Sequence, residues 1–396
     1  MRFMKKPRTN RVVRLPRVVI AILSRTLFVC FLISGAPAQT WHTETVDSTG
    51  HDVGNFSSIG IDGNGDVHLA YWDATGDAPR GQLIYAFRGA HDKKWSSMVL
   101  DNDGTYVSLA MDKSNHPHIA YNSKRENGLH YAFWDGSRWH KQVVDPGHIN
   151  YLLSIQVDDQ GHPKISYYLY HQPTGEYSLH LKYAYSDGKQ WYIQTADPRD
   201  HTGKMNSLAL DLQGNPHIAY VYVANGAGDM FFTRWDGERW QYSVADAKTS
   251  ENQMWSMGNS IGVDHSGHAR IAYLDSYGKA LKCASWDGTR WIVERIDRVS
   301  SVSLLDHPSL KIDGNGRIQI AYADGGAGIL KYAVRSSEGW KTEVVDHEGN
   351  VGLHPSLSLD ANGDPYISYY DVDNKTVKVA HRELGVAAAS VPRKQP

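Results

Sequence analysis

Cysteine is almost absent from this chain of 396 residues, which contains Cys30 and Cys283 and no other cysteine. Cys30 lies in an N-terminal segment that has the features of a cleaved signal. The remainder then has a single cysteine, which excludes an intramolecular disulfide. A small disulfide-rich secreted fold is therefore excluded, and packing has to stabilise the protein.

Acidic residues are absent from residues 1–38, whereas eight of the 41 lysines and arginines fall there. The apolar run Leu27–Ile33 follows this basic start, and Ala36-Pro37-Ala38 supplies small residues for cleavage. A membrane-spanning helix needs about 20 apolar residues, so this run is too short, and Arg25 precedes it closely. We predict a signal peptide over residues 1–38 and a periplasmic or extracellular protein with no transmembrane segment.

Positive charge is in short supply after residue 38, where 33 basic residues face 43 acidic ones and the net charge is about −10. A phosphate backbone would be repelled, so we expect no nucleic-acid partner. Aromatic residues make up 11% of the chain, with 12 Trp and 23 Tyr. That apolar surface is enough to exclude an intrinsically disordered chain.

A repeat organises the sequence after residue 39. Its first element reads Ser, then Ile or Leu, any residue, an aliphatic residue and Asp. The seven serines are Ser58, Ser108, Ser154, Ser207, Ser260, Ser309 and Ser356. A second run ends each time in tyrosine, at Tyr71, Tyr121, Tyr167, Tyr220, Tyr273, Tyr322 and Tyr369. A later run opens with tryptophan, at Trp41, Trp95, Trp139, Trp191, Trp240, Trp291 and Trp340.

Each repeat unit contains four short alternating runs joined by turns rich in Asp and Gly, which is typical of antiparallel hairpins. One four-stranded unit cannot bury both of its faces, whereas a ring of such units can. The sequence therefore predicts an all-β protein, a seven-bladed β-propeller of four-stranded antiparallel blades. The aromatic residues that recur in every unit are expected to pack between blades, and the seven serines to satisfy backbone groups around the central channel.

The order of the runs also predicts how the ring closes. The Trp41 strand precedes the first serine strand, while the last unit ends after its third strand, near Val377–His381. The N-terminal strand is therefore expected to complete the last blade and to remove an exposed sheet edge. The predicted domains are the signal peptide, the propeller over residues 39–382 and a disordered C-terminal tail over residues 383–396.

The seven-fold repeat gives the chain a family resemblance over residues 40–382, together with Asp-Gly turns before four of the repeat tryptophans, as in Trp134-Asp135-Gly136-Ser137-Arg138-Trp139. It resembles the secreted seven-bladed propellers of the broad Asp-box or BNR-like group, which includes sialidase-like proteins, propeller lectins and propeller polysaccharide lyases. An Asp box has one residue between its Asp and its Gly, whereas here the two are adjacent. The resemblance implies a propeller fold.

Two turns have the composition of a cation site. Asp62–Asp66 and Asp360–Asp364 place oxygen-bearing residues at alternate positions, as the opening of a calcium loop does. No glutamate follows at the bidentate position of an EF-hand, so a tight hairpin turn is the favoured interpretation and calcium the alternative. The 20 histidines include no His-Glu-x-x-His spacing. We predict no metal and no other cofactor.

The residues that differ between repeats indicate the functional face. Connections from a fourth strand to the next first strand, and from a second strand to a third, share one side of a propeller, and here they are rich in aromatic, His and Asp residues. We predict ligand binding through Trp72, Asp73, Tyr106, Tyr151, Tyr168, His201, Trp255, Asp275, Asp324 and Asp371. Rings beside hydrogen-bonding groups suit a sugar, which stacks its C–H face and pairs its hydroxyls.

Three functions fit this surface. The first is a lectin-like binding propeller that recognises a glycan or a cell-surface protein and acts as a monomer. The second is an extracellular enzyme, either a sialidase-like glycosidase or a polysaccharide lyase. The candidates for lyase catalysis are His148, His171, Tyr222, Lys124 and Arg125. The third is a structural scaffold of the cell envelope.

Overall fold

The computed structural model describes residues 40–382 apart from 48, 76–80, 93, 127, 150–151, 172–176, 225–226, 251–257 and 303–305. The strands in chain order are β1 (His42–Thr45), β2 (Val53–Ile61), β3 (Val67–Asp73), β4 (Gln82–Arg88), β5 (Ser96–Asp101), β6 (Thr105–Met111), β7 (Pro117–Ser123), β8 (Gly128–Trp134), β9 (Trp139–Asp145), β10 (His148–Ile149), β11 (Ser154–Val157), β12 (Pro163–His171), β13 (Tyr177–Ser186), β14 (Trp191–Asp197), β15 (Thr202–Leu210), β16 (Pro216–Ala224), β17 (Ala227–Trp235), β18 (Trp240–Ser250), β19 (Asn259–Val263), β20 (Ala269–Asp275), β21 (Ala280–Trp286), β22 (Trp291–Arg298), β23 (Ser309–Ile312), β24 (Ile318–Asp324), β25 (Ile329–Ser336), β26 (Gly339–Asp346), β27 (Val351–Leu359), β28 (Pro365–Asp371) and β29 (Thr376–His381).

These strands form seven antiparallel sheets, the blades of a propeller, and this confirms the predicted fold class. Blade 1 is β2–β5, blade 2 is β6–β9, blade 3 is β10–β14, blade 4 is β15–β18, blade 5 is β19–β22, blade 6 is β23–β26, and blade 7 is β27–β29 with β1. In blade 3 the innermost strand is split into β10 and β11, which both pair with β12. Across the described ranges, no helix is long and apolar enough to cross a membrane.

The ring closes as the order of the repeats predicts. β1 pairs antiparallel with β29, with His42 opposite His381 and Thr45 opposite Lys378. Trp41, just before β1, packs edge-on against Tyr332 of blade 6, with ring centroids 5.2 Å apart. The two ends of the described chain therefore meet in one sheet, and β29 is covered by β1 instead of being left as an open sheet edge.

Aspartates form the tight turns at one end of the blades, which we name the turn face. After β2, Asp62 Oδ1 accepts hydrogen bonds from the backbone N–H groups of Asn64 (2.8 Å) and Asp66 (2.9 Å). Asp360 has the same arrangement with the backbone of Asn362 and Asp364. Aspartate commonly caps turns through its side chain in this way, so both segments suspected of calcium binding are hairpin turns.

The repeat tyrosines lie in the core between blades, and each donates its hydroxyl to an aspartate of the preceding blade. All seven side chains are fully buried. Tyr167 Oη lies 2.7 Å from Asp145 Oδ2, and Tyr121 Oη lies 2.8 Å from Asp101 Oδ2. The other five pairs are Tyr71–Asp47, Tyr220–Asp197, Tyr273–Asp246, Tyr322–Asp297 and Tyr369–Asp346. Burial raises the pKa of each tyrosine, so the phenols stay protonated and act as donors.

The tryptophans pack across the blade boundaries nearer the outside. Trp139 meets Tyr85 of the preceding blade edge-on at 4.8 Å, and Trp191 meets Tyr131 at 5.2 Å. Both tryptophans are half-buried rather than fully enclosed. This confirms their predicted place between blades, where edge-to-face ring pairs add to the burial of apolar area.

Candidate functional site

The innermost strands surround a central channel, and their seven repeat serines form a ring in it. All seven line a cavity of about 130 Å³. Six of them accept a hydrogen bond from a backbone N–H of the next blade, as at Ser58 (Leu109 N, 2.9 Å) and Ser260 (Leu310 N, 2.9 Å). The other four such pairs are Ser108–Ile155, Ser154–Leu208, Ser309–Leu357 and Ser356–Ile59. The predicted role of the serines in satisfying neighbouring backbone groups is confirmed for these six.

The mouth of the channel lies on the side of the connections from fourth to first strands, which we name the loop face. Two residues before the ring serines, four blades place aromatic or imidazole rings that touch one another in an arc. Phe56 lies 4.7 Å from Tyr106 and 4.3 Å from His354, and His354 lies 6.0 Å from His307, measured between ring centroids. We name these four residues the mouth arc. It joins blades 6, 7, 1 and 2 at the channel entrance.

Bulges in the inner strands place three members of the mouth arc in the left-handed backbone region. The φ angles are 54° at Phe56, 52° at Tyr106 and 51° at His354. Each residue lies where the pairing register shifts, between Asn55 and Ser58 in blade 1 for example. Bulky side chains rarely adopt positive φ, and such strain concentrates at functional sites because the surrounding structure must sustain it. The strained position recurs, whereas the side chain it carries differs from blade to blade.

Burial sets the protonation of the mouth arc. It lowers the pKa of His307 to about 4, so this imidazole is neutral at neutral pH and offers one donor and one acceptor. Burial also raises the pKa of Tyr106, which keeps its phenol protonated. The mouth arc thus presents rings with neutral hydroxyl and imidazole groups at its edge.

A second group of predicted residues lies on the rim between blades 1 and 2. The Lys124 ammonium lies 5.4 Å from the centre of the Trp72 ring, a cation–π contact. The backbone N–H groups of Lys124 and Arg125 bind the carboxylate of Asp103, at 3.3 and 2.5 Å, so their turn is anchored to buried Asp103. Both basic side chains are exposed.

The four aspartates predicted as ligand-binding residues are buried, and each is the last residue of the second strand of its blade. Asp275 binds Gly278 N (2.8 Å) and the Lys282 ammonium (2.8 Å), and Asp371 binds the backbone and side chain of Asn374. Asp73 caps Thr75 N, and Asp324 accepts from the Ser300 backbone. Their carboxylates are occupied by the local turn or by an ion pair, so these aspartates lie beneath the loop face rather than on it.

The predicted residues of blades 3 and 4 do not converge on one point. His148 and His171 are opposite each other in the pairing of β10 with β12. Tyr168 is a buried residue of β12, which extends to His171, and not a residue of an exposed loop. Tyr222 in β16 has the Arg199 guanidinium 5.3 Å above its ring. His201, two residues after Arg199, is exposed. Tyr151 and Trp255 lie outside the described residues.

Sequence reasoning missed two features of the interior. The first is the set of aspartates bound to the repeat tyrosines, although each lies six residues after a repeat tryptophan, as Asp145 does after Trp139. The second is Lys311, which lies among apolar residues in β23 and lines the channel cavity. The six-residue spacing from the repeat tryptophans could have predicted these aspartates, whereas the position of Lys311 in the cavity is evident only from the ring of blades.

Solved structures of similar fold include three that are matched over 89% or more of their own lengths. A protein of unknown function from Dyadobacter fermentans is 12% identical with a TM-score of 0.58, and the match covers 88% of this chain and 100% of that one. The SapL1 lectin in complex with alpha methyl fucoside is 14% identical with a TM-score of 0.50, over 68% and 93% of the two chains. The polysaccharide lyase Uly1 is 12% identical with a TM-score of 0.51, over 83% and 89%.

These identities show a shared propeller fold, which does not by itself transfer an activity. No protein-family model matches the chain, and no curated protein sequence matches it.

Proposed function

We propose that the protein is a secreted binding propeller that recognises a glycan at the mouth of its central channel. The observation that carries this proposal is the mouth arc, in which four touching rings, three of them on strained backbone, stand at the entrance of a cavity. Rings of this kind stack on the C–H faces of a sugar, and the Tyr106 hydroxyl and His307 imidazole can pair with its hydroxyls. The cavity resembles in size the roughly 150 Å³ space that accommodates a single benzene ring, so one sugar unit at most would enter it.

Binding is favoured over catalysis by the positions of the proposed acid and base groups. Lys124 lies over Trp72 between blades 1 and 2, while Tyr222 lies under Arg199 in blade 4. A lyase or glycosidase needs its acid and base within hydrogen-bond reach of one substrate bond. Solved propellers of similar fold include both a lectin bound to a fucoside and a polysaccharide lyase, so both functions occur on this architecture.

A glycan array on the purified protein, followed by calorimetry with the best ligand, tests this proposal. Tyr106→Leu should weaken binding about tenfold, because it removes the ring that a sugar would stack on. Tyr277→Leu is the matched control, since Tyr277 lies in the turn between β20 and β21, is 71% exposed and is not among the residues that line the channel cavity. Equal losses in the two variants, or no binding to any glycan, would contradict the proposal. Release of unsaturated uronate from a polysaccharide would instead establish the lyase.

A further inference from the structure

Among the described residues Lys311 has no charged partner, in contrast to three other half-buried lysines of the propeller. Lys282 lies 2.8 Å from Asp275, Lys378 lies 2.6 Å from Asp346, and Lys331 binds Asp297. Within the described parts of the chain, Lys311 has no ion pair and no hydrogen bond to its ammonium, and it lines the channel cavity. An ammonium taken from water without a counter-charge is costly, so a partner from solution would be strongly favoured.

The walls around Lys311 supply donors and no carboxylate. None of the described residues that line the cavity is Asp or Glu. Six ring serines accept a backbone N–H, and no acceptor among the described residues takes the proton of their own hydroxyls. Two of the three side-chain amides that line the cavity use their oxygens elsewhere, because Asn206 accepts from Ser166 (2.6 Å) and Asn259 accepts from Ser207 (2.6 Å). The third, Gln156, has an amide N–H group that can act as a further donor. A cation within a ring of hydroxyl donors is the complement of a small anion.

We infer that the central channel binds a carboxylate, with Lys311 as its counter-charge and the ring-serine hydroxyls as its hydrogen-bond donors. The carboxylate comes either from a small free acid or from an acidic sugar whose ring occupies the mouth arc. The second source rests on the proposed function, whereas the first does not. Lys311 is two residues beyond Ser309 along β23, so the carboxylate lies deeper in the channel than the mouth arc.

The ionisable groups around this site determine how carboxylate binding should depend on pH. Burial lowers the pKa of Lys311, and it keeps His307 neutral at neutral pH. Farther out, Tyr106 has a raised pKa and stays neutral. Carboxylate affinity should therefore fall as the pH rises through the lowered pKa of Lys311, at a lower pH than an exposed lysine would give.

Calorimetry with sodium acetate, in a HEPES buffer of constant ionic strength, tests the inference on the wild-type protein. Acetamide is the uncharged probe of the same shape, and glucuronate and glucose form the second charged and uncharged pair. Lys311→Met should weaken acetate binding by roughly 30-fold or more, because it removes the half-buried charge and keeps most of the length of the side chain. Lys94→Met, at an exposed lysine, should leave binding unchanged.

The melting temperature provides an independent readout. Without acetate, Lys311→Met should melt above the wild-type protein at neutral pH, since it removes a half-buried charge that has no counter-charge among the described residues. Acetate should raise the melting temperature of the wild type and not of this variant. If Lys311→Met does not fold, the pH dependence of acetate binding to the wild-type protein is the test. Acetate affinity that falls between neutral pH and the pKa of an ordinary lysine supports the inference, and affinity that stays constant over this range contradicts it.

The outcomes separate the two proposals. Acetate binding that depends on Lys311 supports the anion site whether or not any sugar binds. Glucuronate binding much tighter than that of both acetate and glucose supports the sugar acid as the source. Acetamide binding as well as acetate, no binding of either carboxylate, or undiminished binding to Lys311→Met would overturn the inference, while neutral-glycan binding could still stand.

Discussion

The ring serines and the mouth residues lie two positions apart on the same inner strands, yet they follow opposite rules. The serine is the same in all seven blades, and in six of them it accepts a backbone N–H of the next blade. The position two residues before it reads Phe56, Tyr106, Leu152, Met205, Gly258, His307 and His354. A contact that every blade boundary needs is repeated, whereas a ligand meets the channel once and needs different groups on different sides. Changes at repeated positions should therefore reduce stability, and changes at the mouth should alter binding.

The largest effect is expected from the contact that closes the ring. Deletion of residues 40–46 removes β1 and Trp41, which exposes the edge of β29 and the side of Tyr332. The loss should be about 5 kcal/mol or more, enough to leave little folded protein. Urea unfolding followed by tryptophan fluorescence measures it. Deletion of residues 386–396 is the control and should change the midpoint little, and an unchanged midpoint in the first deletion would disprove the closure.

A smaller loss is expected at one buried tyrosine. Tyr167→Phe removes the donor to Asp145, whose carboxylate stays buried without that hydrogen bond. The free energy of unfolding should fall by about 1–3 kcal/mol, with glycan and acetate binding unaffected. Tyr277→Phe, at an exposed hydroxyl, should stay within about 0.5 kcal/mol of the wild type. A large loss of binding in Tyr167→Phe would show that the repeated positions also form the site.

The smallest effects compare two residues of strand β6. Ser108→Ala removes the acceptor of Ile155 N (3.2 Å) and should cost about 0.5–1.5 kcal/mol of stability. Tyr106→Phe keeps the ring and removes a hydroxyl at the mouth, so stability should change less than in Ser108→Ala while glycan affinity falls. Urea midpoints and calorimetry on both variants give the two readouts. If Ser108→Ala instead reduced glycan affinity and Tyr106→Phe reduced stability, the distinction between scaffold positions and site positions would be wrong.

Most of the scaffold could be predicted from the sequence because its information is local and repeated seven times. Alternating runs, Asp-Gly turns and the recurrent Ser, Tyr and Trp define four strands per blade, and the position of Trp41 before the first serine predicts the closure. The Asp145-type residues also recur, so the same kind of pattern could have revealed them. Predicting blades needs only these patterns, since nearly every strand pairs with its neighbour in the chain.

The candidate site was less predictable because it depends on contacts between distant blades. The residues next to Phe56 and His354 in the sequence do not predict a positive φ, because the register shift of the sheet imposes it. Asp73 and Asp371 were expected to face a ligand because they differ between blades, but each stands at a strand end where a turn takes its oxygens. The sequence around Lys311 predicts only a lysine in a strand, and its position in the cavity follows from the closed ring of blades.

The pairing of β1 with β29 also determines how the protein would be displayed. His42 begins the fourth strand of blade 7 and His381 ends its third strand, so both ends of the propeller emerge side by side on the turn face. The channel entrance is on the opposite side. A tether or fusion partner attached through either terminus would thus hold the propeller with its entrance pointing outward, and joining the two termini while opening another boundary should give a working circular permutant.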